Sequence, residues 1–132
     1  MSISVRPLRS TRLVIHASIF IYLLFLVYRA AAGLDGPDPI KALVLSSGES
    51  ALILLFTSLA ISPLKRFSNT PSLTALRRPV GLWAFALATL HLLIFAHGYL
   101  GWQLSLLFEE LNERPYILVG SLAWVLLVPL AI

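Results

Sequence analysis

Four long apolar blocks separated by short polar connections set the pattern of this chain, at about residues 13–32, 46–64, 79–100 and 116–132. Each approaches the ~20 residues that a helix rising ~1.5 Å per residue needs to cross the ~30 Å hydrocarbon core of a bilayer. The first block is interrupted only by Arg29, close enough to one end for its guanidinium to snorkel to the headgroups. The second carries Glu49 near its entrance and Pro63 at its exit. The third holds no Lys, Arg, Asp or Glu, and Pro79 suits the first turn of a helix, where its missing amide hydrogen is not needed. The fourth follows Arg114-Pro115 and is only just long enough. The connections 33–39, 68–71 and 102–114 read as short and turn-like, and no repeat relates the blocks. The pattern predicts an all-α integral membrane bundle of four transmembrane helices, a single domain over residues 1–132.

Charge gives that bundle a direction, because short Lys- and Arg-rich loops stay cytoplasmic. Arg6, Arg9 and Arg12 precede the first block, and Lys65, Arg66, Arg77 and Arg78 lie between the second and third. The other connections carry Asp35 and Asp38 with Lys41, and Glu109, Glu110 and Glu113 with Arg114. Both termini are therefore expected in the cytoplasm. The competing reading of the first block is a secretory signal peptide, but its apolar run is longer than a typical signal core. Only 12% of residues are charged, against roughly 25% in a soluble domain, so the net charge of +4 reads as membrane topology and not as nucleic-acid binding. With no cysteine, the chain can make no disulfide, thiolate metal site or covalent haem attachment.

Polar side chains are costly in lipid, which makes those inside the blocks the place to look for chemistry. His91 lies twelve residues after Pro79, about 18 Å into the bilayer and slightly past its midplane. Gly81, Ala84, Ala88 and Gly98 fall near the same helix face. That bare strip would give a flat porphyrin clearance, with His91 reaching a noncovalent, b-type iron and Trp83, Phe85 and Phe95 along the ring edge. The same strip would equally let a second helix approach closely, with His91 hydrogen-bonded to it. His97, six positions on, faces another way and reads as a headgroup-level residue. His16 sits near the cytoplasmic start of the first helix, some ~14 Å from His91 in depth. Two imidazoles on one iron need nitrogens ~4 Å apart, so His16 suits a second site, a proton path or a plain interfacial role. Arg66, Arg77 and Arg78 could hold propionates or a phosphate, or could simply set topology. Glu49, Ser50, Thr57, Ser58 and Ser62 could line a quinone or proton route, or could bond between helices. No phosphate loop, hydrolase elbow or metalloprotease pair is present, so a self-contained catalytic site is not expected.

The run Leu76-Arg77-Arg78-Pro79-Val80-Gly81-Leu82-Trp83-Ala84-Phe85, followed by Ala88-Thr89-Leu90-His91, resembles the third-span signature of the MsrQ (YedZ) family, the haem-binding membrane subunits of the periplasmic protein-methionine-sulfoxide reductase system. Gly48-x-x-Ala51-Leu52 leading to Ile61-Ser62-Pro63-Leu64-x-Arg66 is similar to its second span. Gly33-Leu34 through Asp38-Pro39 is similar to its first outward loop, and Arg114-Pro115-Tyr116 with Gly120 to its entry into the fourth span. The resemblance implies a ferric-reductase-like transmembrane domain in the bacterial inner membrane, carrying electrons from quinone through haem b to a periplasmic molybdopterin-containing reductase that repairs oxidised methionines. It also implies an association with flavin mononucleotide (FMN), and it places His91 at a haem-ligand position. Family members continue into further helices bearing a Leu-His motif and another ligating histidine, so the chain is expected to be truncated after the fourth span. The alternative expectation is a truncated, cofactor-free bundle acting as an interaction module or small permease.

Overall fold

The computed structural model describes residues 6–69 and 71–132. Among them the chain forms α1 (Arg6–Ala31), α2 (Pro39–Ser68), a single 3₁₀ turn (Pro71–Leu73), α3 (Thr74–Gly98), α4 (Leu104–Glu113) and α5 (Pro115–Ala131). Three helices, α1, α2 and α3, are long and apolar enough to cross a membrane, and α4 with α5 makes a fourth candidate if that pair, bent by 114°, counts as one span. The helix ends follow local chemistry. At the end of α1 the Leu34 amide donates to the Arg29 carbonyl and the Gly33 amide to the Ala30 carbonyl, with Gly33 in the left-handed region at φ 69°. This pair closes a Schellman turn that needs a residue without a Cβ penalty. Arg29 pairs with Asp35 of the following loop, which is how its charge leaves the apolar block. Asp38 caps α2 by accepting from the Lys41 amide at 3.0 Å, ahead of Pro39 at the first helical position.

Four expectations change. The first helix already starts at Arg6 instead of residue 13. The second helix starts at Pro39 instead of residue 46, because the Asp38 cap and Pro39 open it there. The third starts at Thr74, leaving Pro79 inside it. A proline there removes the amide that would bond the carbonyl four residues back, and the Ala75 carbonyl instead accepts from the Arg12 guanidinium of α1 at 3.3 Å. The connection 102–114 is not turn-like: residues 104–113 form α4. Leu104, Leu107, Phe108 and Leu111 recur at helical spacing with Glu109 and Glu110 between them and Glu113 after them, the layout of a helix lying in the plane of an interface.

The helices run up, down, up and down. α2 and α3 share the most extensive interface, and their contacts descend one helix as they climb the other. Ser58 donates to the Arg77 carbonyl at 3.1 Å, Gly48 meets His91, and Gly98 meets Ile40. Ala84 and Leu87 on α3 and Ser47 on α2 are each 1% exposed. α1 is tied to α2 by Tyr22 and Ser50, whose oxygens lie 2.7 Å apart, and α5 to α3 by the Trp124 indole donating to Thr89 at 2.9 Å. The arrangement brings Arg12 to the end of the bundle that holds the α2–α3 connection with Lys65, Arg66, Arg77 and Arg78. The acidic connections lie at the other end.

Candidate functional site

His91 is held at the α2–α3 interface. Its Nδ1 stands 2.8 Å from the Val44 carbonyl and 3.4 Å from Ser47 Oγ. A carbonyl oxygen only accepts, so at 2.8 Å the proton is on Nδ1. In the neutral ring Nε2 then keeps its lone pair, and no hydrogen bond to Nε2 occurs among the described residues. A histidine that ligates a metal ordinarily donates its other ring N–H to a carbonyl or carboxylate. The ring reaches Val44 because position 48, one helical turn on, is glycine. A Cβ there would lie 2.9 Å from both Cε1 and Nδ1 of His91.

The other two histidines have the opposite partner. Trp83 Nε1 donates to His16 Nδ1 at 2.7 Å, and Trp102 Nε1 donates to His97 Nδ1 at 3.1 Å. An indole N–H has no acceptor capacity, so in each neutral ring Nδ1 is the acceptor and Nε2 carries the proton. His16 is level with Trp83, which stands eight residues before His91 on α3, about 12 Å along the axis. The structure keeps His16 and His91 apart, as their depths along the sequence imply.

The small-residue strip is used differently from the clearance expected for a porphyrin. At Gly81 a Cβ would meet Ser58 Oγ of α2 at 3.2 Å, at Gly98 it would run into the Ile40 side chain, and Ala84 is fully buried. α2 occupies that room, and Ala88, half-buried, is the member of the strip nearest His91 in sequence. Trp83 is turned to His16, Phe85 stacks on Trp124 with centroids 6.0 Å apart, and Phe95 lies against Tyr99. Arg77 and Arg78 are exposed at the start of α3. Arg66 lines a shallow open groove with Ser62, Lys65 and Asn69. Among the α2 hydroxyls, Ser50 and Thr57 bond carbonyls of their own helix, Ser46 and Ile53, Ser58 bonds α3, and Glu49 is exposed. Sequence reasoning missed the Val44 carbonyl as a partner of His91, and backbone carbonyls leave no trace in residue type.

Among the described residues no three His, Asp or Glu side chains come together. A metal at His91 would therefore have to bring most of its ligands with it, as porphyrin iron does. The donor set fits that requirement at one position, the bare Nε2 of His91.

The family model described as the ferric reductase like transmembrane component matches residues 44–132. The protein-methionine-sulfoxide reductase heme-binding subunit MsrQ of Cronobacter sakazakii is 38% identical over 133 residues, covering 100% of this chain and 66% of that protein. The subunit of the same name from Pectobacterium atrosepticum is 36% identical, covering 100% of this chain and 67% of its own length. The chain thus spans about two thirds of the curated relatives it matches. No solved structure matches it.

Proposed function

The chain belongs to the family of ferric reductase like transmembrane components that includes the MsrQ subunits, and we propose that it serves there as a haem-binding membrane electron-transfer subunit with His91 as an axial ligand to a noncovalent haem b. The observation that carries this reading is the hydrogen bond of His91 Nδ1 to Val44, which leaves Nε2 as the free imidazole lone pair among the three histidines. When bound, haem supplies one-electron redox chemistry at its iron. The chain's own residues hold and orient: α2 fixes the ring of His91, and the exposed Arg77 and Arg78 offer guanidinium groups to propionates. Neither His16 nor His97 is placed to share an iron with His91, so on this reading His91 would be the one histidine among these residues to hold the haem.

The relatives' names refer to a protein-methionine-sulfoxide reductase. On this reading the acceptor is a periplasmic, molybdopterin-containing reductase of oxidised methionines and the donor is membrane quinone. FMN could be held at the basic end by Lys65, Arg66, Arg77 and Arg78. The clustering of these cations with Arg12 at one end of the bundle supports an orientation with both termini cytoplasmic, in the bacterial inner membrane. Haem content and a reduced-minus-oxidised optical spectrum of the purified chain test the reading. Wild type should be coloured and His91→Ala should lose its haem. A colourless wild type, or a variant with unchanged haem, would leave the cofactor-free bundle as the better account.

A further inference from the structure

We infer that Gly48 of α2 is a positioning residue for His91: its missing side chain lets the imidazole reach the Val44 carbonyl, and that carbonyl fixes the proton on Nδ1. The consequence for haem rests on the function proposed above, but the tautomer is a property of the protein without cofactor.

The Val44 carbonyl lies one turn before Gly48 and is the ordinary helical acceptor for the Gly48 amide. Carbonyl oxygens have two lone pairs, and the second is directed to His91 at 2.8 Å. Ser47 Oγ does not compete strongly for it, standing 3.1 Å from Val44 O but 2.7 Å from Leu43 O. With its proton on Leu43, the Ser47 oxygen faces Nδ1 at 3.4 Å as a weaker second acceptor. Both polar atoms around Nδ1 thus accept, and the arrangement selects one tautomer.

Gly48 makes this geometry possible. A Cβ at that position would sit 2.9 Å from Cε1 and Nδ1 and 3.5 Å from Nε2, so any side chain must displace the edge of the ring that bonds Val44. The other two glycines of this interface face Ser58 and Ile40, so the effect is specific to position 48. Partners that orient a metal-ligating imidazole typically change metal affinity by about 10- to 100-fold when lost.

The test is ¹⁵N NMR of histidine-labelled, haem-free full chain in lipid nanodiscs at alkaline pH, with His91 assigned by its loss in His91→Gln. The wild type should show a protonated Nδ1 and an unprotonated Nε2. Gly48→Ala should erode that preference, lower haem affinity by about 10- to 100-fold and shift the midpoint potential of any haem retained. Ser58→Ala, which removes the α2–α3 bond to Arg77 without touching His91, should change none of these. A wild-type ring protonated on Nε2 overturns the inference whether or not Gly48→Ala folds. So does a Gly48→Ala protein with the wild-type pattern, or a Ser58→Ala protein that shifts as Gly48→Ala does. The expected tautomer in a wild-type chain that takes up no haem upholds the positioning by α2 and overturns the haem reading instead.

Discussion

His91 and His16 are the same side chain on helices that run side by side, and the bundle gives them opposite partners. His91 meets a group that can only accept, the Val44 carbonyl, while His16 meets one that can only donate, the Trp83 indole. The first arrangement leaves Nε2 with a lone pair and the second leaves Nε2 with a proton. His97, capped by Trp102, repeats the second arrangement at the other end of α3. His91 is half-buried where His16 and His97 are exposed, and on the proposed reading the direction of the neighbouring hydrogen bond is what suits His91 alone to a metal.

The sharpest test of that difference exchanges the two residues one at a time. His91→Ala should remove nearly all haem, whereas His16→Ala should leave haem content unchanged while loosening α1. Equal losses from both variants, measured as haem per protein, would break the comparison. Next in size is Ala84→Leu. Ala84 is 1% exposed where α3 presses on α2, and inserting a larger side chain into a packed interface costs about 1–3 kcal/mol. The separation of α2 from α3 should also weaken the Val44 bond, so thermal stability in detergent and haem affinity should fall together. A stable variant with intact haem would mean that the strip faces lipid and not α2.

Much of the bundle was legible because lipid imposes a length on apolar blocks, and the four blocks do become α1, α2, α3 and α5. The errors lie where helices run beyond the apolar part. Residues 6–12 of α1, 39–45 of α2 and 74–78 of α3 are helical in mixed sequence, the second of these stretches opened by the Asp38 cap. The spacing of Leu104, Leu107, Phe108 and Leu111 already carried the signal of α4, but the segment is too short and too charged to cross a membrane and reads as a turn-like connection when only spans are sought. At the site, residue type pointed to His91, and glycine and alanine spacing pointed to a close approach on its face. What approaches was not legible. The pairing of Gly48 with His91 depends on the register of α2 against α3, which no single helix encodes, and the acceptor at Val44 is backbone.

A smaller effect follows from Trp83→Phe, which keeps an aromatic ring on α3 but removes the donor to His16. Side-chain hydrogen bonds inside membrane proteins average about 0.6 kcal/mol, so the stability loss should be of that order. The more telling readout is the His16 ring itself. Released from the indole, it should redistribute its proton between Nδ1 and Nε2 while His91 keeps its own pattern in the same ¹⁵N spectrum. A change at His91 of equal size would show that the two sites are coupled and not independent.

The smallest expected effect belongs to Arg12→Gln, at the other tie between α1 and α3. Pro79 leaves the Ala75 carbonyl without its helical donor, and Arg12 supplies one at 3.3 Å in an exposed position. Water at the membrane surface can take over that role, so the loss should be a few tenths of a kcal/mol, below the ~0.5–1.5 kcal/mol typical of a net hydrogen bond. Thermal unfolding of Arg12→Gln, Trp83→Phe and the double variant should then show near-additive shifts, because the two ties engage different groups about 12 Å apart along α3. A shift from Arg12→Gln as large as that from Trp83→Phe would place the main anchor of α1 at Ala75, and His16 would lose its claim to be held chiefly by the indole.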